Sequence, residues 1–97
     1  MSFEKMMSVL KSVQQGDTIE ITPSIGKVRT MQAVRSFDHD YNVLEISSGR
    51  KGSLRMTRNG SIFDDGDGVI AWQPTMATQI EEVDSIKLVG AQGLKLV

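Results

Sequence analysis

Phe3, Met6, Met7, Leu10 and Val13 recur at steps of three and four, while Glu4, Lys5, Lys11 and Ser12 fall mostly on the other side. That spacing draws one apolar stripe along a helix. Ser2 can cap its start, because a serine hydroxyl accepts a hydrogen bond from an unpaired first-turn amide, and Gly16 can end it with a positive φ. The pattern predicts a helix over residues 2–15. Its methionine-rich stripe suits either the cover of a barrel end or an adaptable partner surface, and the cover is the simpler expectation.

From Gly16 onward the period changes to two. Ile19 and Ile21 alternate with Thr18, Glu20 and Thr22, and Pro23 stops the ladder because it has no amide hydrogen to donate. Residues 27–38 read as a long second strand carrying Val28, Met31, Val34 and Phe37, with a slip of phase between Val28 and Met31 that predicts a bulge or strong bend. A tight turn at Asp38, His39 and Asp40 leads to a strand over 41–47, and Gly49 to Gly52 makes a further turn. Asn59-Gly60 is the strongest turn signal, since both central residues of a type I′ turn need positive φ; it predicts that 54–58 pairs with 61–63. Residues 69–72 and 86–89 read as short strands, Ile80 and Val83 as a helical turn, and 94–97 as an edge strand.

One helix followed by five to seven short strands predicts a mainly β fold: a small, strongly bent antiparallel β-barrel with one N-terminal α-helix. No helices separate the strands, which excludes a doubly wound parallel sheet. The expected organisation is a single domain over 1–97, with the helix at 2–15, the barrel at 16–89 and an edge strand or tail at 90–97.

Composition agrees: 97 residues suit one core, and 39% apolar residues can fill it. Without cysteine there is no disulfide, thiol nucleophile or cysteine-ligated metal site. No apolar run is long enough for a plain signal peptide or a membrane span, so the expected setting is cytoplasmic with no membrane partner. The formal charge of −1 is a cancellation. Residues 27–58 hold seven cations against three anions, while 59–97 hold two against six.

Candidate chemistry is sparse. Asp64, Asp65 and Asp67 form an acidic loop with Gly66 and Gly68, but a calcium-binding EF-hand register would put Phe63 and Pro74 where its first and twelfth ligands belong. His39 is the only histidine, and no nucleophile-elbow or phosphate-loop motif accompanies it, so no catalytic residue, metal site or cofactor is assigned. Gly49-Arg50-Lys51-Gly52 offers two cations between glycines, a composition that lets backbone and charge approach a phosphate, and Arg55 and Arg58 extend it. Tyr41 follows an exposed turn where its ring can stack on a base, whereas Trp72 beside Pro74 reads as core.

The run from Val34 to Val43 resembles the first motif of Sm-like RNA-binding proteins: an apolar strand, Asp38, then Asn42 followed by an apolar residue. The leading helix and short bent strands agree with that family's order of elements. The resemblance implies an Sm-like or SH3-like barrel in which Asp38 and Asn42 order a loop and contact a base, with Arg58 near Gly60 as the nearest match to the family's Arg-Gly pair.

Three functions follow as expectations. The first is a non-enzymatic barrel binding RNA or other single-stranded nucleic acid through Arg50, Lys51, Arg55 and Arg58, with Tyr41, Asn42 and Asp38 nearby. The second is a protein-interaction or self-assembly module, a homo-oligomer included, using residues 94–97 or the Met6–Met7 helix face. The third is a metal- or small-ligand-binding protein using Asp38, His39 and Asp40.

Overall fold

The computed structural model of the chain describes residues 1–47, 60–74 and 80–90. Helix α1 spans Phe3–Ser12, and the Ser2 hydroxyl oxygen accepts the Lys5 amide at 3.2 Å. Val13 already has extended backbone, so the helix stops short of residue 15. The chain needs those residues to turn into the barrel: the Gln14 amide donates to Asp17 Oδ2 (2.8 Å), the Asp17 amide donates to the Gln14 carbonyl (3.0 Å), and Gly16, at φ +88°, sits inside this turn.

Six strands follow: β1 (Thr18–Pro23), β2 (Arg29–Ala33), β3 (Val43–Ser47), β4 (Gly60–Asp64), β5 (Ile70–Gln73) and β6 (Glu81–Gly90). Each pairs antiparallel with the next, and β6 returns to β1, closing a small mainly β barrel behind the N-terminal helix. Closure removes the unpaired edges that an open sheet would present. Alternate residues point inward, and Ile19, Ile21, Leu44, Ile46, Ile62, Ile70 and Ile86 are buried together with Met6, Met7 and Leu10 of α1. Each such aliphatic side chain contributes roughly 1.5–3 kcal/mol of transfer free energy. The Met6–Met7 face therefore belongs to the core and is not a partner surface.

Four local expectations change. Val28 is exposed and precedes β2, which pairs with β1 in unbroken register from Thr18↔Gln32 to Ile21↔Arg29; the apparent slip of phase marks where the strand begins, not a bulge. The second strand also ends at Ala33, since residues 34–37 bend away before Asp38 pairs singly with Val43. Ile80 and Val83 form no helical turn, because residues from Glu81 are strand. Val83 and Ile86 are both buried at a spacing of three because the pairing steps from Thr22↔Ser85 to Pro23↔Val83 and leaves Asp84 as an extra residue. That bulge shifts the inward phase by one. Lastly, Gly60 opens β4 without the positive φ that a type I′ turn needs, and β4 pairs with β3 and β5, while residues 54–58, its expected partner, lie outside the described residues. The edge strand expected at 94–97 also lies outside the described residues.

Because the barrel runs up and down, its connections divide between two ends. At one end, the turn after α1 is tied to β2 by Gly16 N–H donating to Ala33 O (2.9 Å) and Ala33 N–H donating to Asp17 O (2.9 Å), and Phe37 N–H donates to Val13 O (3.2 Å). The β2–β3 and β4–β5 connections share that end, which α1 covers. The β1–β2 connection, the last residues of β3 and β5 and the first residues of β4 and β6 belong to the opposite end.

Candidate binding site at the open end of the barrel

The helix-covered end carries Asp38, Tyr41 and Asn42. Asp38 Oδ1 accepts the amides of Asp40 (2.9 Å) and Tyr41 (3.0 Å), so this carboxylate orders the turn in front of β3. Asn42 takes the left-handed conformation at φ +56°, which asparagine tolerates better than most residues. Tyr41 projects outward, 80% exposed, and His39 sits edge-on to Phe37 with ring centroids 5.1 Å apart. Val43 pairs with both Asp38 and Phe63, which makes the acidic β4–β5 loop this turn's neighbour. There the Gly66 amide donates to Asp64 Oδ1 (2.9 Å) and the Asp67 amide to Asp65 Oδ1 (2.8 Å). Among the described residues no group of three or more His, Cys, Asp or Glu side chains could hold a metal ion.

Arg50, Lys51, Arg55 and Arg58 lie outside the described residues. Their segment is joined to the barrel at Ser47 and Gly60, whereas Tyr41 and Asn42 precede Val43, so the two halves of the expected nucleic-acid site attach to opposite ends of β3.

The end opposite α1, called the open end because no described element covers it, holds a cavity of about 550 Å³ lined by Val28, Arg29, Met31, Trp72, Pro74 and Glu81 among others. Its charged members are placed by strand register. Arg29 pairs across the ladder with buried Ile21 and stands two residues before buried Met31, which puts it on the inner face. Glu81 pairs with buried Trp72 and stands two residues before buried Val83, which puts it on the inner face as well. Both thus continue the core-facing rows to the barrel mouth. Neither has an ion pair or side-chain hydrogen bond among the described residues; the ion pair found there joins Arg35 to Glu45 at 3.2 Å. Trp72 is only 5% exposed, as its apolar neighbours predict, but its indole Nε1 is buried with no hydrogen-bond partner. An unpaired buried donor costs about 1–3 kcal/mol. Exposed Ile25 and Ile80, with Val28 of the cavity wall, give this end an apolar rim.

Sequence reasoning missed Arg29 and Glu81. A charged residue in phase with inward apolar ones, Arg29-Met31-Ala33 and Glu81-Val83, is the pattern that marks them. Comparison of the chain with protein-family models, curated proteins and solved structures returned no match.

Proposed function

We propose that the chain is a non-enzymatic barrel of the Sm-like or SH3-like kind that binds single-stranded nucleic acid, RNA above all, at its open end and acts in the cytoplasm. The feature that supports this reading is the charge of residues 48–59, which hold four cations and no anion. This segment, with Arg50, Lys51, Arg55 and Arg58, is joined to the barrel at the end that carries Lys27, Arg29, Glu81, Glu82 and Asp84, and the carboxylates of Asp38, Asp40, Asp64, Asp65 and Asp67 belong to the helix-covered end. Such cations neutralise phosphates, and screening weakens the effect of carboxylates at the other end of the barrel. Tyr41, Asn42 and Asp38 stay in the proposal as a second contact that a longer strand reaches around β3.

Fluorescence anisotropy of a labelled single-stranded RNA across a salt series tests it. Four to six phosphate contacts give a slope of log K against log salt near about −3 to −4. Replacing Arg50, Lys51, Arg55 and Arg58 by glutamine flattens the slope. Absence of salt-sensitive binding at micromolar protein would sink the proposal.

The apolar rim of Ile25, Val28 and Ile80 favours a second reading, an interaction surface for protein, a second copy of this chain included. Light scattering that finds a monomer at all accessible concentrations removes the self-assembly form of it.

A further inference from the structure

In a small closed barrel the inner positions are normally filled with apolar side chains. This barrel departs from that at its mouth, where Arg29 and Glu81 occupy inner-face positions of opposite charge, line one cavity and pair with no described residue. Trp72, across the ladder from Glu81, adds a buried indole N–H without an acceptor. Val28, Met31 and Pro74 supply apolar wall. A ligand that completes this set brings acceptors for a guanidinium, donors for a carboxylate, and an apolar body between them.

Those demands narrow the chemistry. A simple carboxylate or phosphate meets Arg29 and is repelled by Glu81; a simple amine has the reverse defect. A nucleobase carries donors and acceptors on one flat apolar frame, and single-stranded bases are read on these edges. Guanine alone presents two adjoining donors, N1–H and the N2 amino group, that match the two oxygens of a carboxylate, together with two adjoining acceptors, O6 and N7, that match the guanidinium fork. Adenine lacks the donor pair. The volume, about 550 Å³, lies in the range of small-molecule sites.

We propose that the inner-facing Arg29 and Glu81, with Trp72, form a pocket for one guanine base. This rests on the nucleic-acid reading above and names the base that the open end selects. Guanine O6 and N7 accept from Arg29, and its N1–H and N2 amino group donate to Glu81.

Trp72 is the only tryptophan, so a ¹H–¹⁵N correlation spectrum of the full chain contains one indole N–H peak, and that peak reports this pocket. GMP, AMP and ribose 5-phosphate serve as probes. GMP is expected to shift the indole peak saturably, AMP to bind about tenfold more weakly because one bidentate pairing is lost, and ribose 5-phosphate to leave the peak in place. Glu81→Gln, in a variant that keeps a dispersed spectrum, abolishes the preference for GMP over AMP, and Arg29→Gln weakens GMP about tenfold. An indole peak unmoved by GMP at about 10 mM overturns the pocket; so does an equal response to GMP and AMP that Glu81→Gln leaves unchanged. Labelled oligouridine separates the two proposals. Salt-sensitive oligouridine binding without a GMP response overturns the pocket and keeps the nucleic-acid reading, while a selective GMP response with no binding of any oligonucleotide supports the pocket and overturns that reading.

Discussion

Gly60 is required for closeness and not for a turn. A Cβ built there would run into the carbonyl oxygens of Gln73 and Pro74, the latter at 2.8 Å, and both belong to backbone that cannot swing aside. Gly66 poses the reverse problem, with open space around its missing Cβ but a φ of +94°. Gly60→Ala is therefore expected to destabilise the fold by about 1–3 kcal/mol through overpacking, and Gly66→Ala by about 1–2 kcal/mol through left-handed strain. Urea unfolding of both variants checks this, and a neutral Gly60→Ala would contradict the close approach of β4 and β5. The Asn59-Gly60 pair reads as a turn because the letters are the same whether a glycine is there for its φ or for its lack of a Cβ. Asp38 was legible, because its side chain acts on amides two and three residues away, within the reach of a sequence window.

Helix α1 and strand β6 show where periodicity works and where it fails. The stripe of α1 predicts its own burial correctly, since every contact that defines it repeats along one helix face. Leu10 is fully buried in that stripe, so Leu10→Ala is expected to cost about 2–5 kcal/mol, whereas Ser2→Ala, which removes a single exposed cap bond, costs about 1 kcal/mol. Thermal or urea denaturation separates the two, and equal losses would mean that α1 does not cover the barrel end. Strand β6 is misread because exposed Ile80, ahead of the strand, stands three residues before buried Val83 and imitates a helical spacing, while the bulge at Asp84 hides the strand phase between Val83 and Ile86. The bulge is held by β1's continuation: Ser24 Oγ donates to Asp84 Oδ1 (2.8 Å) and Ser24 N–H donates to Glu82 O (2.9 Å). Those partners are about sixty residues away in sequence, and no local pattern contains them.

For the whole molecule, the near-zero net charge conceals oppositely charged segments of the chain. Strands of five residues span roughly 17 Å, while the screening length at physiological salt is about 8 Å. Asp65→Asn and Asp67→Asn are therefore expected to change RNA affinity less than about twofold at physiological salt, with a larger gain at low salt. Lys27→Gln, at the open end, is expected to weaken binding about two- to fivefold and to reduce the salt slope by about one contact. Anisotropy titrations at two salt concentrations check both, and a large effect of the acidic loop at physiological salt would argue against binding at the open end.

Alternation, helix spacing and the proline and glycine positions were enough to determine a mainly β chain behind one helix, the places of β1, β3 and β5, and the Asp38 turn, because each is set by neighbours within a few residues. Barrel closure, the phase of β6, the need for glycine at position 60 and the meeting of Arg29, Trp72 and Glu81 at one mouth were decided only by tertiary structure. Each depends on which strand lies beside which and in what register, and register is chosen by hydrogen bonding and core packing between segments tens of residues apart.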